Sequence, residues 1–299
     1  MRVLIVGCGY VGLPLGTELA RQGHEVFGLR RNLTVESELR AAGIAPLFAD
    51  ITRREELKKL PNGFNWIVNC VAAGGDLENY RRVYLDGTNA LIEWLAPQPP
   101  QKFIYTSSTS VYAQNDGSIV DETSPTEPLA ETSKVLVETE KVLLQAAAGQ
   151  DTRLAGQNFP AVILRVAGIY GPGRGQWFKQ FIRGHAKIEG DGSRFLNMIH
   201  RDDLVGCLLA ALREGRPGEI YNAVDNEPVT QLQLFQWLAE TLGKDLPPAA
   251  PENLERRRGV TNKRVSNAKL RAELKYKFQF PDFRAGYTAE IARLGVRPG

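Results

Sequence analysis

The sequence predicts an α/β fold: a doubly wound parallel sheet, with a smaller irregular part interleaved after it. Two observations lead there. Short β-branched runs alternate with longer amphipathic stretches through the first half, and a glycine loop joins the first run to the first amphipathic stretch. Such alternation lets helices cover both faces of a sheet, the arrangement in which parallel strands are stable.

The runs are RVLIVG at 2–7, EVFGLR at 25–30, APLFAD at 45–50, WIVNCVA at 66–72, KFIYTSS at 102–108 and AVILRVAGIY at 161–170. Helical stretches at 10–22, 76–96 and 131–148 separate them. Gly23 follows the first of these as a left-handed cap would, because glycine carries no Cβ penalty there. After Tyr170 the pattern becomes irregular and rich in Gly, Arg and aromatics, interrupted by a short helix at 202–213 and the strand EIYNAV at 219–224. A mostly helical tail runs from 228 onward. The division that follows is a nucleotide-binding layer over 1–167, to which 199–224 returns, and a smaller substrate-facing part over 168–198 and 225–299.

Composition narrows the partners. Thirty-seven Lys and Arg against 34 Asp and Glu leave the 299-residue chain at +3, with no basic block or polybasic segment of the kind that binds nucleic acid or a membrane surface. Small ligands fit better. The longest apolar runs fall far short of the roughly 20 residues of a membrane helix. MRVLIVGCG leads into a glycine turn instead of a cleavage site, so a cytoplasmic location is expected. Cys8, Cys70 and Cys207 have no paired spacing, which suits reduced thiols, and with only His24, His185 and His200 beside them no metal-ligand pattern appears. No G-x-S-x-G elbow marks a hydrolase.

VGCGYVG places Gly7, Gly9 and Gly12 in a G-x-G-x-x-G, with Tyr10 and Val11 between the last two. One glycine makes the tight turn, the second admits the pyrophosphate, and the third lets helix and strand pack closely, so the phosphates face the helix N-terminus. Alone the motif is weak; after an N-terminal strand and opening a βαβ unit it points to a dinucleotide. About 20 residues on, an NAD site carries an acid for the ribose 2′-OH. Here the strand end reads GLRRN, and Arg30 and Arg31 would instead attract the 2′-phosphate of NADP(H), which is expected in preference to NAD(H). The alternative is a pair of solvated loop arginines. Asp50 ends the next strand, where it can accept from the adenine amino group, and Ile51 beside it is a further cofactor-binding candidate. Ala72 and Ala73 would let the cofactor lie close over the sheet edge, or are simply packing.

The ordered set GCGYVG, YTSSTSVYA, the helix holding Lys134, LRVAGIYGPGR, MIHRDDL and IYNAVDNEPVT resembles the extended and atypical branch of the short-chain dehydrogenase/reductase superfamily, the NAD(P)-dependent epimerases and dehydratases. Within it the chain is most similar to the subgroup of bacterial YeeZ-like proteins. The resemblance implies a Rossmann-type sheet, a nucleotide sugar or related carbonyl or hydroxyl compound as substrate, and a homodimer formed through the helices at 76–96 and 128–148. It also implies roles: a Ser or Thr, here Ser108, orients the substrate carbonyl, and a lysine, here Lys134, binds the nicotinamide ribose. Four residues before that lysine the family carries a tyrosine acid/base, and this chain has Ala130, which holds no proton to exchange. Tyr84 likewise replaces a usual asparagine.

Three readings remain open. Another group supplies the proton, with Tyr112 and Tyr170 as candidates, each of which also reads as a packed aromatic. Lys134 keeps only its ribose role and the protein is a non-catalytic NADP(H)-responsive binder. Or Lys134 is a solvated helix residue. On the substrate side, Thr109, Arg174, Trp177 and His200 are the candidates, joined by Arg194 and Arg201: arginines clamp a phosphate or carboxylate and an indole stacks on a ring. Surface charge, a core tryptophan and a histidine bonded to backbone at a helix start are the plainer alternatives, since Asp202 and Asp203 favour a helix N-terminus there.

Overall fold

The computed structural model describes residues 1–251 and 261–295. Its centre is a sheet of seven parallel strands, β1 (Arg2–Val6), β2 (Glu25–Arg30), β3 (Ala45–Phe48), β4 (Trp66–Asn69), β5 (Lys102–Ser108), β6 (Ala161–Val166) and β7 (Ile220–Ala223), in the order β7-β6-β5-β4-β1-β2-β3. The chain winds outward from β1 to β3, then restarts at β4 and winds the other way. The crevice between β1 and β4 is therefore the switch point, where ligands of open α/β sheets bind.

Period-two alternation assigns the two faces of the sheet. Leu4, Val6, Ile67 and Phe103 pack under the helices Gly87–Leu95 and Glu131–Ala147, whereas Val3, Ile5, Val68 and Ile104 pack under the helices Gly12–Arg21 and Arg201–Glu214. Gly23 follows the first helix at φ 83°, in the left-handed region the sequence suggested. A third apolar cluster, with Tyr170, Phe178, Phe181, Phe235, Phe283 and Tyr287, forms the smaller part. Among the described residues no helix is long and apolar enough to cross a membrane.

Two elements differ from the sequence expectation. The run 161–170 is not one strand. The Ala167 N–H donates to the Ala223 carbonyl at 3.0 Å, but the Gly168 N–H turns to the Asn197 carbonyl at 3.1 Å. Gly168–Tyr170 then pairs in parallel with Met198–His200, outside the central sheet. The stretch 76–96 is interrupted as well: Leu77–Arg81 and Gly87–Leu95 flank a wide π-turn over Arg82–Asp86. Hydrophobic periodicity cannot report a change of backbone hydrogen-bond partner, so neither was legible.

Charge is buried in the layer beneath the hydroxyl strand. Arg165, on β6, lies opposite Ser107 on β5 and pairs with Glu140 at 2.8 Å, with side chains only 5% and 3% exposed. Ser107 donates to the same carboxylate at 2.5 Å, and Arg165 also donates to the Tyr112 hydroxyl at 2.9 Å. That hydroxyl donates in turn to the Asn222 Oδ1 on β7 at 2.8 Å. Asp203 plays a similar part for the tail, accepting from the Tyr276 hydroxyl at 2.7 Å and from the N–H groups of Gln279 and Phe280 at 2.7 and 2.8 Å.

Breaking a buried pair by removing one partner strands the other charge. Glu140→Ala is expected to cost about 3–5 kcal/mol in urea unfolding. A Cβ at Gly286 would overlap the Tyr170 ring and hydroxyl, so Gly286→Ala is expected to cost about 1–3 kcal/mol by overpacking. Unchanged midpoints for either variant would contradict these assignments.

Candidate functional site

The carboxyl ends of β1, β2, β4, β5 and β6 open onto a cavity of about 870 Å³. The glycine loop forms one wall. Gly7 has φ 82°, and a Cβ there would come within 2.8 Å of the Val71 nitrogen, so glycine is needed for both conformation and space. A Cβ at Gly12 would lie 2.8 Å from Ile5 Cγ2 and 2.9 Å from the Gly7 carbonyl oxygen; Gly12 serves helix packing and does not line the cavity. The Gly9 N–H closes the turn on the Gly7 carbonyl at 2.7 Å. Among the described residues, the N–H groups of Tyr10 and Val11 donate to no backbone carbonyl and stand just before the helix Gly12–Arg21. Orphan donors at a helix start are what a phosphate requires, so this loop fits the dinucleotide its spacing suggested.

The two arginines separate in role. Arg30 lies across the loop: its Nη1 donates to the Cys8 carbonyl at 2.8 Å and sits 2.7 Å from where a Gly9 Cβ would be. Arg31 is exposed and lines the cavity with Asn32. Asp50 and Ile51 also line it. Burial opposes ionisation of Asp50, but the Thr52 N–H and hydroxyl, at 3.0 and 2.8 Å, with the Arg31 and Arg82 charges, outweigh it and hold the carboxyl below its ordinary value. Burial pushes the Cys8 thiol up to about 12, so it is not a nucleophile at neutral pH. Ala72 lines the cavity, whereas Ala73 does not and donates its N–H to the Tyr84 hydroxyl at 3.3 Å. The π-turn therefore delivers Tyr84 to this wall.

At the other wall, β5 ends in Ser107 and Ser108, followed by a single 3₁₀ turn at Thr109–Val111. Ser108 caps that turn, accepting the Ser110 N–H at 3.2 Å, and Ser108, Thr109 and Ser110 all line the cavity. Lys134 does not. It is exposed, and its ammonium pairs with Glu131 one turn earlier at 2.6 Å. Tyr112 is fully buried, with its hydroxyl held between Arg165 and Asn222. Tyr170 lines the cavity with its ring, but its hydroxyl packs over Gly286 and reaches the Asp282 carbonyl at 3.5 Å. Burial, then the Asp225 carboxylate, raise its phenol well above the ordinary value. Neither tyrosine presents a proton to the cavity.

His200 is the cap of the helix Arg201–Glu214: its Nδ1 accepts the Asp202 N–H at 3.2 Å, and it does not line the cavity. Burial lowers its pKa, with the Asp202 and Glu290 carboxylates partly opposing. Arg174 and Trp177 do line the cavity. The Arg174 guanidinium stands 5.1 Å from the Tyr10 ring centroid and that of Arg201 at 5.5 Å, so one tyrosine links the glycine loop to the substrate side. Trp177 supports Arg194 at 5.7 Å.

Sequence reasoning missed Lys263. The Asn197 amide, which accepts the Val265 N–H at 2.7 Å and donates to the Lys263 carbonyl at 2.9 Å, stitches that segment to the cavity wall. Lys263 is 4% exposed and donates to the Tyr112 carbonyl at 3.0 Å and the Thr261 hydroxyl at 2.7 Å. In sequence it is one lysine of a charged tail, with nothing to set it apart.

A family model described as the NAD dependent epimerase/dehydratase family matches residues 3–223. The chain belongs to that family. Protein YeeZ of Escherichia coli K12 is 28% identical over 292 residues, covering 94% of this chain and 97% of its own length. A conserved protein of unknown function from Silicibacter pomeroyi DSS is 30% identical, with a TM-score of 0.78 over 98% of both chains. UDP-glucuronic acid 4-epimerase of Bacillus cereus, solved with UDP-glucuronic acid and NAD, shares the fold at a TM-score of 0.80 over 98% of this chain and all of its own, with 22% identity.

Because Lys134 lies outside the cavity lining and its exposed pair with Glu131 contributes little to the fold, Lys134→Met is expected to change nicotinamide nucleotide affinity by less than about twofold. A loss above about tenfold in a fluorescence titration would show that the side chain turns into the cavity when nucleotide binds.

Proposed function

We propose that the protein binds NADP(H) in preference to NAD(H) and uses it for hydride transfer on a nucleotide sugar or a related carbonyl or hydroxyl compound. The observation that carries this reading is the union, in one cavity at the sheet's switch point, of a phosphate-ready glycine loop, an exposed Arg31 and the hydroxyls of Ser108 and Thr109. A bound nicotinamide cofactor would supply the hydride chemistry. The chain's own residues hold and orient: the Tyr10 and Val11 N–H groups take phosphate oxygens, Arg31 meets the 2′-phosphate, Arg30 keeps the loop in place, and Ser108 orients the substrate oxygen. The Bacillus cereus relative, which holds UDP-glucuronic acid and NAD in the same fold, supports a nucleotide sugar as the first substrate to try.

A second reading is favoured by one observation, that Lys134 is engaged outward with Glu131, beside the expectation from the resemblance that Ala130 occupies the acid/base position. Under it the protein binds NADP(H) as a sensor and turns nothing over.

Calorimetric titration with NADPH, NADP+, NADH and NAD+ tests the cofactor reading. A charge-assisted contact of about 1.5–3 kcal/mol predicts about a ten- to hundredfold preference for the phosphorylated forms, abolished in Arg31→Asp. Equal affinity for all four would refute the preference. Spectroscopy of the NADP+-loaded protein mixed with UDP-glucose or UDP-glucuronic acid separates the two readings: growth of the reduced-nicotinamide band supports chemistry, and tight binding with no spectral change supports the sensor.

A further inference from the structure

Moving a hydride to or from a carbon–oxygen bond also needs a group that gives or takes a proton at the oxygen. Lys134 and His200 lie outside the cavity, and the Tyr112 hydroxyl is held in the layer beneath it. Lys263 lines the cavity but directs its hydrogens to the Tyr112 carbonyl and the Thr261 hydroxyl. Phenols are the remaining candidates, and among the described residues Tyr10, Tyr84, Tyr170 and Tyr287 line the cavity.

Three of these four point elsewhere. Tyr170 reaches the Asp282 carbonyl at 3.5 Å, and Tyr287 turns its hydroxyl to Met198 Sδ at 3.8 Å in the third apolar cluster. The Tyr10 hydroxyl is buried on the glycine-loop side, where Arg174 and Arg201 cover its ring. Tyr84 differs in place. The helix Glu131–Ala147 packs against both the π-turn that carries Tyr84 and the 3₁₀ turn that follows Ser108, so these two residues enter the lining on one wall, with Leu136 of that helix. The Tyr84 hydroxyl accepts the Ala73 N–H at 3.3 Å. An oxygen that accepts a backbone N–H is prepared to carry negative charge.

The backbone holds Tyr84 there. A π-turn gives up regular helical bonding and recurs at functional sites. Directly after it, a Cβ at Gly87 would lie 2.7 Å from Ile51 Cδ1, so glycine lets the following helix press against the segment after β3 and fixes where the turn sits. Strand order sets what the wall faces. A nucleotide with its ribose phosphate at Arg31 and its diphosphate on the glycine loop runs from β2 across β1, and its far ring comes to the β4 and β5 side.

We propose that Tyr84 is the acid/base of this cavity, a phenol delivered by the π-turn in place of one delivered by the helix Glu131–Ala147. This rests on the reading of the cavity as a nicotinamide nucleotide site. When a carbonyl compound takes a hydride and its electron pair from a reduced nicotinamide, the carbonyl oxygen takes the Tyr84 proton. The phenolic O–H breaks, an O–H forms on the substrate, and the phenolate faces the Ala73 N–H. In the oxidising direction the same proton returns to Tyr84.

The first test needs no turnover. Phenolate absorbance is titrated with pH for wild type and Tyr84→Phe, each saturated with NADP+ and then with NADPH, and the difference between the two proteins isolates Tyr84. The oxidised ring carries a positive charge that the reduced ring lacks, so the Tyr84 midpoint is expected to be lower with NADP+ by about one pH unit or more. Tyr80, Tyr105 and Glu140, packed around this phenol, and Arg82 and Asp86 of its own turn are present in both states and cancel. Equal midpoints overturn the assignment. The second test follows the reduced-nicotinamide band with UDP-glucose and UDP-glucuronic acid: Tyr84→Phe is expected to lose about a hundredfold or more in rate with NADP+ affinity unchanged, the unchanged affinity showing an intact fold. A rate kept within about threefold overturns the proposal, and its loss in Lys263→Met alone would give the role to that ammonium. If wild type binds NADP+ but turns over neither compound, the catalytic role falls and the cofactor reading stands. If it binds no nicotinamide nucleotide, the calorimetric titration shows that the cofactor reading itself has failed.

Discussion

The buried pair of Arg165 and Glu140 is the constraint from which the site's geometry follows. A guanidinium inside the otherwise apolar strand AVILRV would destabilise the sheet severely unless its charge were paired and each of its three nitrogens found an acceptor. Glu140, supplied by the helix Glu131–Ala147, and Tyr112, supplied by the loop after β5, provide them. Satisfying one arginine therefore fixes a helix, a loop and two strands against one another. The loop so fixed begins with Ser108 and ends with the carbonyl that Lys263 grips. The hydroxyl row and the ammonium are oriented by a charge that neither of them touches.

The two tyrosines that the sequence offered as proton donors, Tyr112 and Tyr170, are both held with their hydroxyls away from the cavity. Tyr112 has its oxygen committed to Arg165 and Asn222, and burial, only partly countered by Arg165, keeps its proton on. Tyr170 lies 4.5 Å from Tyr287 between ring centroids, tilted by 31°, with its hydroxyl over Gly286 in the third apolar cluster. In both, the aromatic serves packing and the hydroxyl satisfies a partner, which is the usual fate of a buried tyrosine.

Much of the fold was legible because it rests on local signals. Alternating apolar runs gave the parallel sheet, and Gly7, Gly9 and Gly12 marked the loop by spacing alone. Arg30 and Arg31 were both visible as candidates; that one bolts the loop and the other faces the cavity depends on side-chain direction, which spacing does not carry. Ser108, Thr109, Arg174 and Trp177 reached the cavity wall, whereas Lys134 and His200 found partners in their own helix, Glu131 and the Asp202 N–H. Arg165 was the missed signal with a recognisable form: a lone charge within an otherwise apolar strand asks for a buried partner. Lys263 had no such mark, because it is held by Asn197 and Tyr112, which only the fold brings to it.

The hand-over at Ala167 and Gly168 has a further implication for how such proteins can be recombined. One residue bonds into the central sheet and the next into the ribbon with Met198–His200, with no linker between them. The smaller part is consequently not a module joined at a seam. A chimera that exchanged it for a relative's would have to import the register of β6 against β7 along with it, so new substrate preferences on this scaffold are more readily reached by changing side chains within the cavity than by grafting whole lobes.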